Sequence, residues 1–202
     1  MEGLLTRRSI RKYQDKKIDK AVIEEIIKAA QYSPTAHNKQ PWEFLVIDDK
    51  EFLANLRHIQ RWTSFAKDAA CVVIVCGDVE KSFNRNKEDE KWSFIDVDCA
   101  IATQSLMLAA WAHGIGTCYC GAAPMQRVVD ALREKLNLPE NIRPFAIVPM
   151  GYPAETPKQP DDRYKPEKST GVSGKQCESP LRRAFCLPLC RFGRRNHKSS
   201  CG

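Results

Sequence analysis

Ser33–Pro34–Thr35–Ala36–His37–Asn38–Lys39–Gln40–Pro41–Trp42 is the stretch on which the reading of this chain turns. It follows a helix signal running from about Asp19 to Tyr32. There Val22, Ile23, Ile26, Ile27 and Ala30 recur at helical spacing, Asp19 is a good N-cap, and Pro34 ends the helix. The ten residues themselves, small ones with two prolines and two side-chain amides, suit neither a helix face nor an alternating strand. A segment of that composition can lie flat against a planar ring and offer hydrogen bonds to the ring's edge. Upstream, Arg7–Arg8–Ser9–Ile10–Arg11 gathers three guanidiniums and a hydroxyl within five residues. Arginine's planar fork meets phosphate oxygens two at a time, so this cluster suits a phosphate.

A phosphate site paired with a site for a polar heteroaromatic ring describes a bound mononucleotide, and a flavin fits both halves. Each landmark also has a plainer reading. The arginines suit a solvated basic face on a short N-terminal helix, and Asn38 and Gln40 suit a cap or a braced turn. Trp42 reads as core, and His37 as an exposed loop residue.

Working outward, Phe44–Ile47 reads as a strand and Lys50 to Gln60 as a short helix. Cys71–Val72–Val73–Ile74–Val75–Cys76 is apolar throughout, as a strand covered on both faces must be. The polar run from Lys81 to Lys91 reads as a loop or lid. Phe94 to His113 reads as a buried central helix with Asp96 and Asp98 near its positive end, broken by Gly114–Ile115–Gly116. Thr117–Cys118–Tyr119–Cys120 is expected as a strand with both thiols on one side. Pro124 to Leu136 is expected as a helix with Pro at an early position, and Phe145–Met150 as a last strand. Mixed helices and strands around a single sheet predict an α+β sandwich without internal repeats.

Charge and cysteine usage divide the chain. The 34 residues from Ser169 to Gly202 hold seven Lys/Arg and one acid, Glu178, and so carry nearly all of the net charge of +7. The remainder is almost neutral, which argues against nucleic acid or a membrane surface as its partner. No apolar run reaches the roughly 20 residues that span a bilayer, and charges arrive by Arg7, unlike a secretory leader. Cys71, Cys76, Cys99, Cys118 and Cys120 lie in apolar stretches, whereas Cys177, Cys186, Cys190 and Cys201 lie in the tail. Nine cysteines without disulfide-scaffold spacing predict a reducing, cytoplasmic setting.

Taken in order, R-R-S-I-R, S-P-x-x-x-N-x-Q-P-W, the central helix with G-I-G-T-C-Y-C-G, and G-Y-P-A-E with D-R-Y-K-P resemble the nitroreductase family of flavin enzymes over residues 3–168. The resemblance implies a nitroreductase-like α/β/α sandwich with one mixed, mostly antiparallel sheet. It implies a homodimer with FMN in the interface, NADH or NADPH as donor, and small aromatic acceptors such as nitroaromatics or quinones, in a ping-pong reaction. Arg7, Ser9 and Arg11, with Arg8 beside them, would hold the phosphate and ribityl chain. Pro34, Thr35 and Ala36 would pack on the isoalloxazine, usually from the partner subunit, while Asn38 and Gln40 meet polar groups of the cofactor or fix that loop. Tyr119, Cys120 and Gly121 would pass backbone near the ring, and Arg163 and Lys165 would return to the phosphate. No metal is expected, nor any catalytic acid or base, since the flavin carries the electrons.

The body is short for the family, so the Trp62–Phe65 region or the 81–94 loop would have to form any lid. Residues 169–202 fall outside the resemblance and read as a basic, Cys-rich tail, either disordered or without evolved structure. Thiolates and His197 there are possible zinc ligands, but their spacing matches no compact zinc module. Two other functions compete: reductive dehalogenation or flavin-dependent oxidation on the same scaffold, and a non-enzymatic flavin binder whose tail meets membrane or RNA.

Overall fold

The computed structural model describes residues 2–83 and 94–157. Five helices and five strands are assigned among them. They are α1 (Glu2–Thr6), α2 (Lys20–Gln31), β1 (Trp42–Ile47), α3 (Lys50–Ile59), β2 (Cys71–Asp78), α4 (Phe94–Ala112), β3 (Gly116–Thr117), β4 (Cys120–Gly121), α5 (Gln126–Lys135) and β5 (Ile142–Gly151). Short 3-10 turns add Ala36–Asn38 and Arg61–Asp68. The strands form one sheet in the order β1-β2-β5-β3, with β4 also on β5, and every strand pairing is antiparallel. This is an α+β fold of the expected class.

Local chemistry explains most of the boundaries. Asp19 caps α2 by accepting the Ala21 N–H at 2.8 Å, and Asp49 caps α3 through Phe52 N–H at 2.7 Å. β2 is buried along its whole length, and Val72, Val73, Ile74 and Val75 are all sealed from solvent. At ~25 cal/mol per Å² of apolar surface, each such side chain contributes about 2 kcal/mol of burial. α4 is long and apolar enough to cross a bilayer by length and composition. Its Ile95, Cys99, Ala102, Leu106 and Ala110 are instead buried in the core, where the helix packs on α2, β2 and β5.

Two expectations are corrected here. Thr117–Cys120 is not one strand: β3 stops at Thr117 and β4 restarts at Cys120, with Cys118–Tyr119 between them. Each fragment takes its register from β5, so long-range pairing rather than local propensity sets the break. Pro124 also does not open α5. It lies two residues ahead of the helix, after a cis Ala123–Pro124 peptide.

At the far end of β2, Asp78 braces the chain. Its carboxylate accepts from the Glu80 N–H at 3.0 Å and the Asn141 amide at 3.0 Å, and Lys81 lies at 3.4 Å. Burial pushes this carboxyl up, but the hydrogen bonds from Asn141, Glu80 and Lys81 outweigh it, so the group ionises below the ordinary 3.8. A lowered folded-state pKa gives stability that is present above the ordinary value and lost as pH falls through the folded one. Asp78→Ala is therefore expected to cost about 1–3 kcal/mol at neutral pH and to flatten the acid limb of a melting-temperature series. Melts recorded at stepped pH check both effects.

Candidate functional site

The Arg7–Arg11 segment leaves α1 and runs as a strap across the end of the sheet. Ile10 is fully buried, and its neighbours Ser9 and Arg11 are exposed. The Ile10 N–H donates to Thr117 O at 2.9 Å, and Ser9 bridges Thr117 in parallel. Downstream, the Tyr13 hydroxyl donates to Ile10 O at 2.8 Å, and the Glu155 carboxylate accepts the Arg11 and Lys12 N–H groups at 2.7 and 3.2 Å. The strap is thus fixed on one side to β3 and on the other to residues 152–155, leaving the Ser9 and Arg11 side chains exposed.

This arrangement unites two of the predicted clusters. The Cys118 thiol is buried and donates to Tyr119 O at 3.9 Å, and Cys120, Arg11 and Ser9 are the side chains that bear on its ionisation. The neighbouring Cys120 thiol is the largest influence on it; together with the Arg11 charge and the Ser9 hydroxyl it outweighs burial and lowers the Cys118 pKa. The Arg11 guanidinium also sits 6.0 Å from the Phe65 ring centroid. Gln60 Nε2 donates to Gly121 O at 2.8 Å, tying the Arg61–Asp68 turn to the same corner. Arg8 bends back, donating to Arg7 O at 2.6 Å.

The second landmark hangs elsewhere, on α4. The Ala36 N–H donates to Asp98 Oδ1 at 3.1 Å, and the Ser33 and Ser105 hydroxyls meet at 2.8 Å. Asp98 is buried, which raises its pKa, and the Ala36 N–H offsets part of that rise. Its role is therefore to anchor this loop, beyond the helix-end position expected for it. His37, Asn38 and Gln40 all take positive φ, at 52°, 55° and 50°. Gln40 holds the bend by donating its N–H to Thr35 Oγ1 at 3.1 Å and its amide to Asn38 Oδ1 at 2.8 Å. Asn38 and Gln40 thus brace the loop. Backbone held in this region costs energy and is commonly kept where a ligand must be met. His37 stacks on Phe83 at 3.8 Å, and Trp42 is core as expected.

Tyr119 is exposed between the two buried cysteines, and Gly121 lies on β4. Pro34 is exposed, with Thr35 and Ala36 half-buried. Arg163 and Lys165, the 84–93 part of the suggested lid, and the tail cysteines lie outside the described residues. Gln60 and Glu155 were not singled out in the sequence, and Phe65 was named only within the Trp62–Phe65 region suggested as a lid. Glu155 had a signal in its place in G-Y-P-A-E. A groove of about 620 Å³ lies apart from all of this, lined by Lys16, Ile18, Ile27, Val46 and Cys71 among others, and no predicted site residue borders it.

The donor set suits an anionic, hydrogen-bonding ligand. Arg8 Nε and Thr117 Oγ1 are buried without a hydrogen-bond partner among the described residues. Unmet groups of this kind cost free energy unless a ligand or water meets them.

Fold and element order together define a small α+β protein with one antiparallel sheet. The chain matches the nitroreductase family over residues 4–152 and belongs to that family. A Methanothermobacter thermautotrophicus protein provisionally named an NADH dehydrogenase/NAD(P)H nitroreductase is 36% identical over 172 residues, covering 83% of this chain and 86% of the relative. The solved structure of an FMN-dependent nitroreductase from Clostridium difficile R20291 superposes with a TM-score of 0.72 at 30% identity. That match covers 87% of this chain and 100% of the other. An iodotyrosine deiodinase of Haliscomenobacter hydrossis is 26% identical, over 82% of this chain and 84% of its own length. The chain is thus an oxidoreductase of the nitroreductase type.

Proposed function

We propose that the chain is an FMN enzyme that oxidises NADH or NADPH and reduces small aromatic acceptors, nitroaromatics and quinones among them, in ping-pong order. The observation that carries this reading is the strap of Ser9 and Arg11 held beside Thr117, with Arg8 Nε and Thr117 Oγ1 left without partners. Ser9, Arg11 and Arg7 bind the phosphate and ribityl chain, and Arg8 stands behind them. FMN, when bound, supplies hydride transfer between the nicotinamide and the acceptor. Tyr119, Cys120 and Gly121 offer backbone at the ring, and Pro34, Thr35 and Ala36 cover it.

A homodimer completes the site. The ring-covering loop and the phosphate strap are anchored on different elements, α4 and β3, which favours contribution of the loop by a second subunit. Phe94, Val97 and Ile101 expose a line of apolar side chains along α4 at helical spacing, a surface suited to a partner. Five free, buried thiols accord with a reducing cytoplasmic compartment.

Initial rates measured across a grid of NADH and nitroaromatic concentrations test the reading. Parallel double-reciprocal lines are expected, and intersecting lines would exclude ping-pong order. The deiodinase relative gives reductive dehalogenation as the second reading, which halide release from an iodotyrosine would favour. Trp62, 64% exposed beside the Phe65 corner with the Arg61 guanidinium 4.4 Å from its ring, is positioned to stack on an acceptor. Loss of an aromatic contact of about 1 kcal/mol corresponds to roughly a five-fold rise in acceptor KM for Trp62→Ala. FMN affinity, read by fluorescence titration, is expected to stay unchanged.

A further inference from the structure

We infer that Arg61, held over Trp62, makes the site selective for aromatic acceptors that carry an anionic group, a carboxylate above all. This selectivity rests on the function proposed above, with the acceptor at Trp62, and adds to it the class of acceptor.

The turn that carries both residues, Arg61–Asp68, is tied to the β4 corner at two points. At its start, the buried Gln60 amide accepts the Trp62 N–H at 3.4 Å and donates to Gly121 O at 2.8 Å. The same Nε2 lies 3.8 Å from Met125 Sδ, so one amide gathers Trp62, Gly121 and Met125. Further along, the Phe65 ring stands 6.4 Å from the Tyr13 ring and 6.0 Å from the Arg11 guanidinium. Thr63 is fully buried between these ties, while Arg61 and Trp62 are exposed. Gly121 is open as well. A methyl there would meet Tyr119 Cε1 at 3.8 Å and Met125 Cε at 3.9 Å, and both of those side chains are exposed. Three exposed apolar side chains around one glycine suit a planar ring.

The charge of this seat comes from Arg61. Its guanidinium lies 4.4 Å from the Trp62 ring centroid. Stacking engages the flat face of a guanidinium and leaves its N–H edge free, and that edge meets a carboxylate two oxygens at a time. Among the described residues no ion pair engages Arg61, so no carboxylate there competes for that edge. Arg11, the other cation at this corner, is taken up by the phosphate in the function proposed above. A neutral acceptor therefore gains only the stacking contact, whereas an anionic one gains a charge-assisted hydrogen bond to Arg61 in addition.

The test compares two acceptors in two proteins. Wild type and Arg61→Gln, both loaded with FMN, are assayed with para-nitrobenzoate and with its neutral counterpart para-nitrobenzamide. The electronic difference between these acceptors is the same in both proteins, so the ratio of their kcat/KM values isolates the charge. That ratio is expected to fall about five-fold in Arg61→Gln, with Arg61→Lys between the two. In wild type it is expected to fall as salt is raised, because an exposed pair is screened. Benzoate, which the enzyme cannot reduce, gives the same comparison as binding. Its dissociation constant, read from the spectrum of the bound flavin, is expected to rise by a similar factor in Arg61→Gln. An unchanged ratio and unchanged benzoate affinity, with both acceptors reduced, would overturn this selectivity and leave the proposed function standing. A raised KM for NADPH with the acceptor ratio unmoved would also overturn it, assigning Arg61 to the donor's phosphate. Reduction of neither acceptor by wild type would overturn the proposed function and the selectivity together.

Discussion

Arg11→Ala is expected to weaken FMN binding by about 30- to 100-fold, the loss of roughly 2–3 kcal/mol of charge-assisted hydrogen bonding to an anionic ligand. The fold is expected to survive, because the attachments of this residue to the body run through its backbone. Its N–H donates to Glu155 at 2.7 Å, and the neighbouring Ile10 N–H holds the strap to Thr117. The exposed guanidinium stands 6.0 Å from the Phe65 ring centroid. Arg11→Lys keeps the charge but loses the planar fork, so it is expected to fall between wild type and alanine. Fluorescence-quench titration gives the dissociation constants, and a thermal melt of the FMN-free protein checks the fold. Equal affinity in wild type and Arg11→Ala would remove Arg11 from the site.

Gly116→Ala is expected to lower both stability and cofactor retention, because at this position the strap and the sheet have no space between them. A methyl there would lie 2.7 Å from Ile10 Cβ and Cγ1 and 2.9 Å from Cγ2. The side chain stem of Ile10, unlike a flexible tip, cannot swing aside, so the strap or β3 must move. Overpacking of this kind costs about 1–3 kcal/mol. For a chain of this size that is a fall of roughly 2–4 °C in melting temperature per kcal/mol. Since Ile10 lies between Ser9 and Arg11, the same displacement carries both away from Thr117 and weakens FMN binding. Calorimetry and the FMN titration read the two effects, and a variant with normal values for both would contradict the described packing.

Much of the architecture was legible because it rests on short-range patterns. The helical spacing of Val22 to Ala30 with Asp19 in front marked α2, and the unbroken apolar run from Cys71 marked a strand covered on both faces. The polar character of the Asn38 and Gln40 side chains in a stretch without core periodicity marked a braced loop between α2 and β1. What escaped depends on partners distant in sequence. The break at Cys118–Tyr119 is imposed by β5, some 30 residues further along. The corner made by Gln60 and Phe65 exists only because Gln60 reaches Gly121, and Glu155 acts on amides across 144 positions of sequence. Asp98 read as a helix-end charge, yet burial and the Ala36 N–H make it the anchor of the loop that follows α2.

The central claim is that this fold holds a flavin that a nicotinamide reduces. Its most direct test is the visible spectrum of the purified protein equilibrated with FMN, desalted, and recorded before and after anaerobic NADH. The account predicts flavin bands that stay with the protein, bleach on adding NADH and return on adding a nitroaromatic or quinone. A protein that emerges without flavin, or whose retained flavin does not respond to NADH or NADPH, would contradict it.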